Sequence, residues 1–400
     1  MNRRCRLPFQ AGAPALLRLL CALLCLAVLP LVSCLSMRRT SYEGERKMSI
    51  EKSSLYRNGR FENSDGHKPI FKGPVREVWK EWIFGDQKRV PEKPLEVRKV
   101  RAEKLTGAPD GLRVTWLGHS SVIFEMEGLL ILTDPVLAKR PSPLPFLGPS
   151  RYHQALPIEP EEIPALDAVI ISHDHYDHLD YDTILRLRDK TRRFITPLGV
   201  GAYLEKWGIP RERITELDWW GQTRVGDRLE IFATPGQHFS GRSLFRRNDT
   251  LWASWVLKGK KFRLFFSGDS GYCPSFREIG RRFGPFDITL MENGQYNEKW
   301  RRVHMLPEES FQAFRDLRGK VMIPIHWGTY CLSVHDWYEP AERLLLAARG
   351  HESSIVIPRV GETYTSGTVL PLTFWWRSPR PEKASKRSPG SAPLTAKETL

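Results

Sequence analysis

The sequence predicts an α/β fold, and three observations carry the prediction: short apolar runs set off by turn residues, a segment of helical spacing among them, and a polar residue at the end of run after run. Leu112-Arg113-Val114-Thr115-Trp116-Leu117 and Ser121-Val122-Ile123-Phe124-Glu125-Met126 read as strands around a turn at Gly118, and a second turn at Gly128 leads into a strand over 129–133. Residues 168–172 form an apolar strand ending directly at His173, after which 181–188 has helical spacing. The pattern then recurs. A strand over 229–233 runs into Thr234-Pro235-Gly236-Gln237-His238, and one over 262–266 into Ser267-Gly268-Asp269. Strands over 287–290 and 321–325 lead to Met291-Glu292-Asn293 and to His326. A sheet that delivers polar residues from its strand ends into loops assembles a site from distant sequence and fixes its geometry. No Gly-rich dinucleotide or phosphate-binding fingerprint stands where a strand enters a helix.

Length and composition bound the rest. A chain of 400 residues, 41% of them hydrophobic, buries a substantial core, which excludes disorder throughout. The ends differ from the middle. Arg3, Arg4, Arg6 and Arg18 precede an uncharged run over 19–32 that closes on Leu31-Val32-Ser33-Cys34. That is the layout of an export signal over 1–33, too short to span a bilayer comfortably. An uncleaved membrane anchor and an apolar helix of the fold are the competing readings. Residues 34–110 are polar and basic, with an aromatic-bearing helix expected over 75–84, and read as an arm that wraps the core or touches a membrane. Residues 377–400, rich in Pro, Ser, Lys and Arg, are expected to be a disordered tail, which leaves 111–376 as the main domain. Past the signal and Cys34, the cysteines that remain are Cys273 and Cys331, which either pair or stay as thiols; no disulfide framework is evident. The formal charge of +15 favours anionic surfaces, which lipid headgroups and nucleic acid satisfy equally.

Chemistry enters at His173-Asp174-His175-Tyr176-Asp177-His178, which puts three imidazoles and two carboxylates within six residues directly after an apolar strand. Imidazole and carboxylate ligands without a dense thiolate set suit a borderline ion used for catalysis. His173 and His175, two apart in a tight turn, can face one ion, while Asp177 and His178 reach a second a few ångströms away. One ion would leave too many ligands unused. His238, Asp269 and His326, each at the end of a later strand, complete the set, with a carboxylate able to bridge two metals. Any one of the eleven histidines taken alone would be structural. The clustered pattern after a strand is not explained that way.

This constellation resembles the metallo-β-lactamase superfamily, in particular its branch of N-acylphosphatidylethanolamine-hydrolysing phospholipases D and their bacterial relatives. The likeness runs from about Gly111 to Trp327 and includes text outside the ligands: Trp116-Leu117-Gly118-His119, Leu132-Thr133-Asp134-Pro135, Glu216-Leu217-Asp218-Trp219-Trp220, Ser267-Gly268-Asp269-Ser270-Gly271-Tyr272-Cys273-Pro274 and Arg282-Phe283-Gly284-Pro285-Phe286-Asp287. The resemblance implies a four-layer αββα sandwich with a cleft where the two sheets meet. It implies two zinc ions, His173, His175 and His238 holding one, Asp177, His178 and His326 the other, and Asp269 bridging. A homodimer and an apolar groove for acyl chains are implied as well. The reaction it implies is hydrolysis of a membrane phosphodiester by metal-activated water, giving an N-acylethanolamine and phosphatidic acid. Leu31-Val32-Ser33-Cys34 separately resembles the bacterial lipoprotein box, which implies lipidation of Cys34 and a place in the cell envelope, at the outer membrane in a Gram-negative host because no Asp follows. Two departures limit the transfer: Met291-Glu292-Asn293-Gly294-Gln295-Tyr296 is more polar than in the mammalian phospholipase, and the first 110 residues lie outside the likeness.

Roles follow from position and resemblance together. Asp177 is the expected base beside the water, Asp269 the bridge, and His304, followed by Pro307-Glu308-Glu309, a phosphate-contacting or proton-donating group. His119 and Asp134 are expected behind the ligands as partners that orient imidazoles, and Asp174 as a brace of the turn. Trp219-Trp220 and Trp375-Trp376 offer apolar surface to a bilayer or to the core, Trp252 and Trp255 are expected inside, and the basic stretch 239–247 either gathers phosphate or is a solvated loop. A lactonase, thioesterase, β-lactamase or nuclease would use the same ligands, and a zinc-stabilised envelope binding protein is the alternative without catalysis. The export signal and the lack of a dense basic recognition helix argue against nucleic acid as a partner.

Overall fold

Near-continuous apolar runs make the central strands apolar on both faces, and stacked sheets covered by helices follow from it. The computed structural model describes residues 42–66, 75–107, 111–144, 146–242 and 247–377. The export signal, Cys34 and the tail from 378 lie outside the described residues. The arm supplies helix α1 (Gly44–Lys52), a hairpin of β1 (Tyr56–Arg57) and β2 (Arg60–Phe61), and helix α2 (Val75–Phe84). Strands β3 (Leu112–Gly118), β4 (Ser121–Met126), β5 (Leu129–Thr133), β6 (Leu166–Ile170), β7 (Thr191–Pro197) and β8 (Ile214–Leu217) follow, with α3 (Tyr181–Leu187) and α4 (Gly201–Lys206) in the crossovers. The second half repeats the plan with β9 (Gln222–Val225), β10 (Leu229–Thr234), β11 (Ser254–Lys258), β12 (Arg263–Phe266), β13 (Phe286–Glu292) and β14 (Gly319–Ile325). Its helices are α5 (Ser275–Phe283), α6 (Pro307–Asp316) and α7 (Glu339–Ala347), and β15 (Thr363–Thr365) returns to the edge of the first sheet.

The seven-stranded sheet has the order β15-β3-β4-β5-β6-β7-β8 and the six-stranded sheet β14-β13-β12-β11-β10-β9. Each is antiparallel through its hairpins and parallel along β5-β6-β7-β8 and β12-β13-β14, joined by a long connection between β5 and β6 and by helices at the other parallel crossovers. Val114, Phe124, Ile131, Ile170 and Ile195 turn inward to meet Ile231, Trp255, Phe266, Ile288 and Leu290 of the other sheet. Their alternates Ile123, Leu132, Val169 and Phe194 turn outward and are covered by Ile184 and Leu187 of α3 and Leu204 of α4. The predicted α/β class is therefore met with two mixed sheets between helices. Asp180 starts α3 by accepting the Thr183 N–H at 3.2 Å.

Ile50, Leu55 and Phe61 of the arm join the cluster between the sheets. At about 2 kcal/mol for each buried side chain of this size, that contact favours the arm staying against the core. Trp252 and Trp255 are buried as expected. Trp219 and Trp376 are buried too, so neither offers itself to a bilayer. Cys273 and Cys331 are free thiols and not a pair. Among the described residues no helix is long and apolar enough to cross a membrane.

Candidate metal centre

The polar residues leave the carboxyl ends of strands and meet at one edge of the sandwich, where open α/β sheets place their ligands. His119 follows β3, Asp134 follows β5, His173 to His178 follow β6, His238 follows β10, Asp269 follows β12, Glu292 ends β13 and His326 follows β14. The backbone is strained there. His119, Asp134, Gln295 and His326 all have positive φ, at 51°, 35°, 60° and 65°, a conformation that non-glycine residues keep only where the surroundings impose it. Gly268, with φ of 55°, allows close approach: a Cβ there would lie 2.6 Å from that of Ser172.

Two clusters form. In the first, His173 Nε2 lies 2.8 Å from His175 Nδ1, which lies 3.3 Å from His238 Nε2. In the second, Asp177 Oδ2 is 3.0 Å from His119 Nε2, 3.5 Å from His178 Nε2 and 3.4 Å from His326 Nε2. Asp269 Oδ2 stands between them, 3.1 Å from His178, 3.2 Å from His326, 3.8 Å from His238 and 3.9 Å from His173. All seven residues predicted as ligands are thus brought together, and His119, expected behind them, faces into the second cluster. Asp177 keeps 16% of its side chain exposed and His304 15%, whereas Asp269 keeps 2%.

What stands behind each ring fixes its tautomer. His178 Nδ1 donates to Asp134 Oδ2 at 2.6 Å, and His238 Nδ1 donates to the Val303 carbonyl at 2.9 Å. Ser172 Oγ donates to Asp134 Oδ2 at 2.5 Å, so it accepts from His173 Nδ1 at 2.9 Å. Each of these rings then turns Nε2 inward, with its Nδ1–H spent on the bond behind it. Asp174 braces the turn as predicted, accepting the Gly241 N–H at 2.7 Å. Arg242 does not gather phosphate: it is buried, donates to the carbonyls of Asp174 and Leu179, and lies 3.8 Å from the Tyr176 ring centroid. Residues 243–246 of the same stretch lie outside the described residues.

Electrostatics tests whether the group fits a metal. Burial and neighbouring imidazoles hold His173 well below the ordinary histidine range; burial does the same to His238 against the pull of Asp269. Burial alone would raise Asp177 and Asp269, but the surrounding imidazoles, His178 first, keep both well below the usual carboxylate range. His178 is raised despite burial, by Asp269 and Asp177. The carboxylates therefore demand a positive charge between them, which the His178 proton supplies when no cation does, while the neutral imidazoles of His173 and His238 turn lone pairs inward. His178 Nε2 and Asp269 Oδ1 are buried without a hydrogen-bond partner among the described residues, an arrangement costing about 1–3 kcal/mol per atom unless another partner compensates. Inward-facing and otherwise unsatisfied ligand atoms are what a divalent cation requires, and its binding releases the His178 proton. The chain fits the two-metal centre.

Two residues escaped the sequence reading. Glu292, fully buried, makes a short contact with His304 Nδ1 and accepts the Ser270 N–H at 2.6 Å. Burial and the charge of Asp269 push its carboxyl up to about 7, while Glu292 and Asp269 overcome the burial of His304 and raise that imidazole. The strand-end pattern at Met291-Glu292-Asn293 was the available signal. Asn63 is the other: its Nδ2 donates to the His238 carbonyl at 3.0 Å and its Oδ1 accepts the His238 N–H at 3.2 Å. Beside the ligands opens a cavity of about 510 Å³ with Val78, Trp79, Trp82, Phe239, Trp300 and Val303 on its walls and His175, Asp177, Asp269, His304 and His326 facing in.

A two-sheet α/β sandwich that gathers these ligands at one edge defines a metal-dependent hydrolase. Residues 130–327 match the beta-lactamase superfamily domain. The chain is 41% identical over 333 residues to an uncharacterized protein of Mycobacterium tuberculosis, covering 82% of this chain and 88% of the relative. It is 35% identical over 335 residues to N-acyl-phosphatidylethanolamine-hydrolyzing phospholipase D 1 of Caenorhabditis elegans, covering 79% of this chain and 93% of that one. Among solved structures it resembles an isothiocyanate hydrolase from Delia radicum gut bacteria, at a TM-score of 0.51 and 23% identity over 63% of this chain and 98% of the other. The chain belongs to the metallo-β-lactamase superfamily, as a binuclear metal-binding hydrolase.

Proposed function

We propose that the protein is a zinc-dependent hydrolase of phospholipase D type, acting on N-acylphosphatidylethanolamine or a related membrane phospholipid. The observation that carries the reading is the aromatic-walled cavity opening onto the metal ligands, which suits a substrate with an apolar body and a charged centre. The Caenorhabditis elegans relative, alike over most of its length, supports the same choice. His173, His175 and His238 would hold one zinc ion and Asp177, His178 and His326 the other, with Asp269 shared and His119 beside the second. Bound there, the pair supplies water activation near neutral pH and neutralises charge on phosphoryl oxygens.

The chain's own residues do the rest. Trp79, Trp82, Phe239 and Trp300 receive the apolar chains and exclude water. Asp177, whose Oδ2 turns into the second cluster, would use its other oxygen to take the proton of the attacking water. His304 lines the cavity with its Nδ1 engaged by Glu292, which leaves Nε2 to protonate the departing alcohol oxygen as the P–O bond breaks. The lipoprotein-like start at Cys34 would keep the enzyme on the envelope surface that holds such a substrate.

The test is a product assay on purified, metal-quantified protein, comparing N-acylphosphatidylethanolamine, phosphatidylcholine, a lactone and DNA, with chelation and zinc restoration. Phosphatidic acid is expected from phospholipid, lost on chelation and regained with zinc; its absence from every phospholipid would sink the reading. Asp177→Asn and His326→Ala should each lower turnover roughly a thousandfold or more with unchanged circular dichroism. Retained activity in both would overturn the site.

A further inference from the structure

Helix α2 has one side on the protein and another that no described residue covers. Val78 and Trp82 pack with Phe239 onto the small cluster of Trp300, Val303 and Val334 beside the metal ligands. Glu77 and Glu81 are drawn to Lys299, at 3.7 and 3.6 Å. Arg76, Trp79, Lys80 and Ile83 then fall at i, i+3, i+4 and i+7, one continuous stripe, with Phe84 at its end. Trp79, Ile83 and Phe84 are 61%, 62% and 74% exposed. Three large apolar side chains kept in water on ten residues of helix mark an interaction surface.

We propose that this stripe docks on an anionic lipid bilayer and sets the cavity mouth against it, an inference that rests on the lipid substrate proposed above. Charge chooses the partner. Both acidic residues of the helix are committed inward to Lys299, which leaves Arg76 and Lys80 among the exposed apolar groups, and Arg247 adds a cation 5.3 Å from the ring centroid of Phe239, in the same cluster. Aromatic and aliphatic side chains flanked by basic ones suit the headgroup boundary, where the apolar parts enter and the cations meet lipid phosphate. A second copy packed stripe to stripe would instead set Arg76 and Lys80 against their own like charges. Trp79 belongs to both surfaces, since it lines the cavity as well as the stripe. A lipid leaving the bilayer beneath α2 therefore passes directly toward His304 and Asp177.

Brominated-lipid quenching of tryptophan fluorescence tests this on the full chain, because bromine in the acyl region reaches an inserted Trp79 and not the buried tryptophans. On vesicles of brominated phosphatidylcholine containing phosphatidylglycerol, the wild type should be quenched, and Trp79→Phe should lose most of that quenching. Ile83→Ser with Phe84→Ser, and separately Lys80→Glu, should each weaken the interaction with anionic vesicles roughly tenfold, while hydrolysis of a small soluble phosphodiester stays unchanged. Equal quenching of wild type and Trp79→Phe overturns the proposal. So does a concentration-dependent dimer abolished by Ile83→Ser with Phe84→Ser, accompanied by no quenching. Quenching that depends on Trp79 without phosphatidic acid release leaves the docking surface standing and removes the substrate reading; release from detergent-dispersed lipid without such quenching does the reverse.

Discussion

Asp134 carries much of the centre without facing into either metal cluster. Its Oδ2 accepts from His178 Nδ1 and Ser172 Oγ, its Oδ1 accepts the Ser172 N–H at 2.6 Å, and its own φ is positive. Through Ser172 it also sets the tautomer of His173, so one carboxylate orients a ring in each cluster. Asp134→Asn must turn an NH₂ toward one of these donors, and metal affinity should fall by about 10- to 100-fold with the fold intact, as measured by chelator competition and circular dichroism. An unchanged dissociation constant would show that the two rings orient themselves. The ligands were legible because His173 to His178 state their chemistry in six consecutive residues. His119 and Asp134 were legible as helpers, but which atom each would touch was not. Glu292 and Asn63 were invisible as partners, since the first meets His304 across a loop and the second meets His238 from 175 residues away.

Among the elements, the hairpin of β1 and β2 does most to tie the arm to the chemistry. The Phe61 N–H donates to the Asn248 carbonyl at 2.8 Å, Asn248 Nδ2 returns a bond to the Phe61 carbonyl at 3.0 Å, and Asn63 clamps both backbone groups of His238. Asn63→Ala leaves the buried His238 N–H and carbonyl unpaired. A stability loss of about 1–3 kcal/mol in urea unfolding, together with lower zinc occupancy by elemental analysis, is expected. Full occupancy at wild-type stability would mean that the arm merely covers the loop. The bounds of α2, β4 and β5 are legible in the sequence, because each is a dense apolar or aromatic run between clear turn residues. Strand β9 is not legible, since Gln222-Thr223-Arg224-Val225 has no apolar run, and β13 is longer at both ends than the expected 287–290. Pairing sets those limits: β13 extends from Phe286 opposite Gly319 to Glu292 opposite Ile325, a register that belongs to its neighbour as much as to itself.

At the scale of the whole molecule, two similar half-sandwiches place their parallel strand ends at a common edge, and the joint between them must hold for the centre to hold. His153, in the long connection between β5 and β6, lies at that joint. The adjacent Tyr152 N–H donates to the Thr329 carbonyl at 2.8 Å, and a Cβ on Gly118 would come within 3.5 Å of His153 Nε2 and 2.9 Å of Thr329 Oγ1. Burial lowers the His153 imidazole from 6.5 to about 4 against a single opposing bond from Nδ1 to the Ala155 carbonyl. The folded ring thus resists a proton that the unfolded chain accepts. Stability from this residue is complete above pH 6.5, declines as pH falls toward about 4, and changes no further below that. At about 1.4 kcal/mol per pH unit, the loss is on the order of 3 kcal/mol. Urea unfolding across that window should show the wild type losing more stability than His153→Gln by about this amount. Parallel curves for the two proteins would assign the acid sensitivity to other groups, the imidazoles of the metal centre foremost.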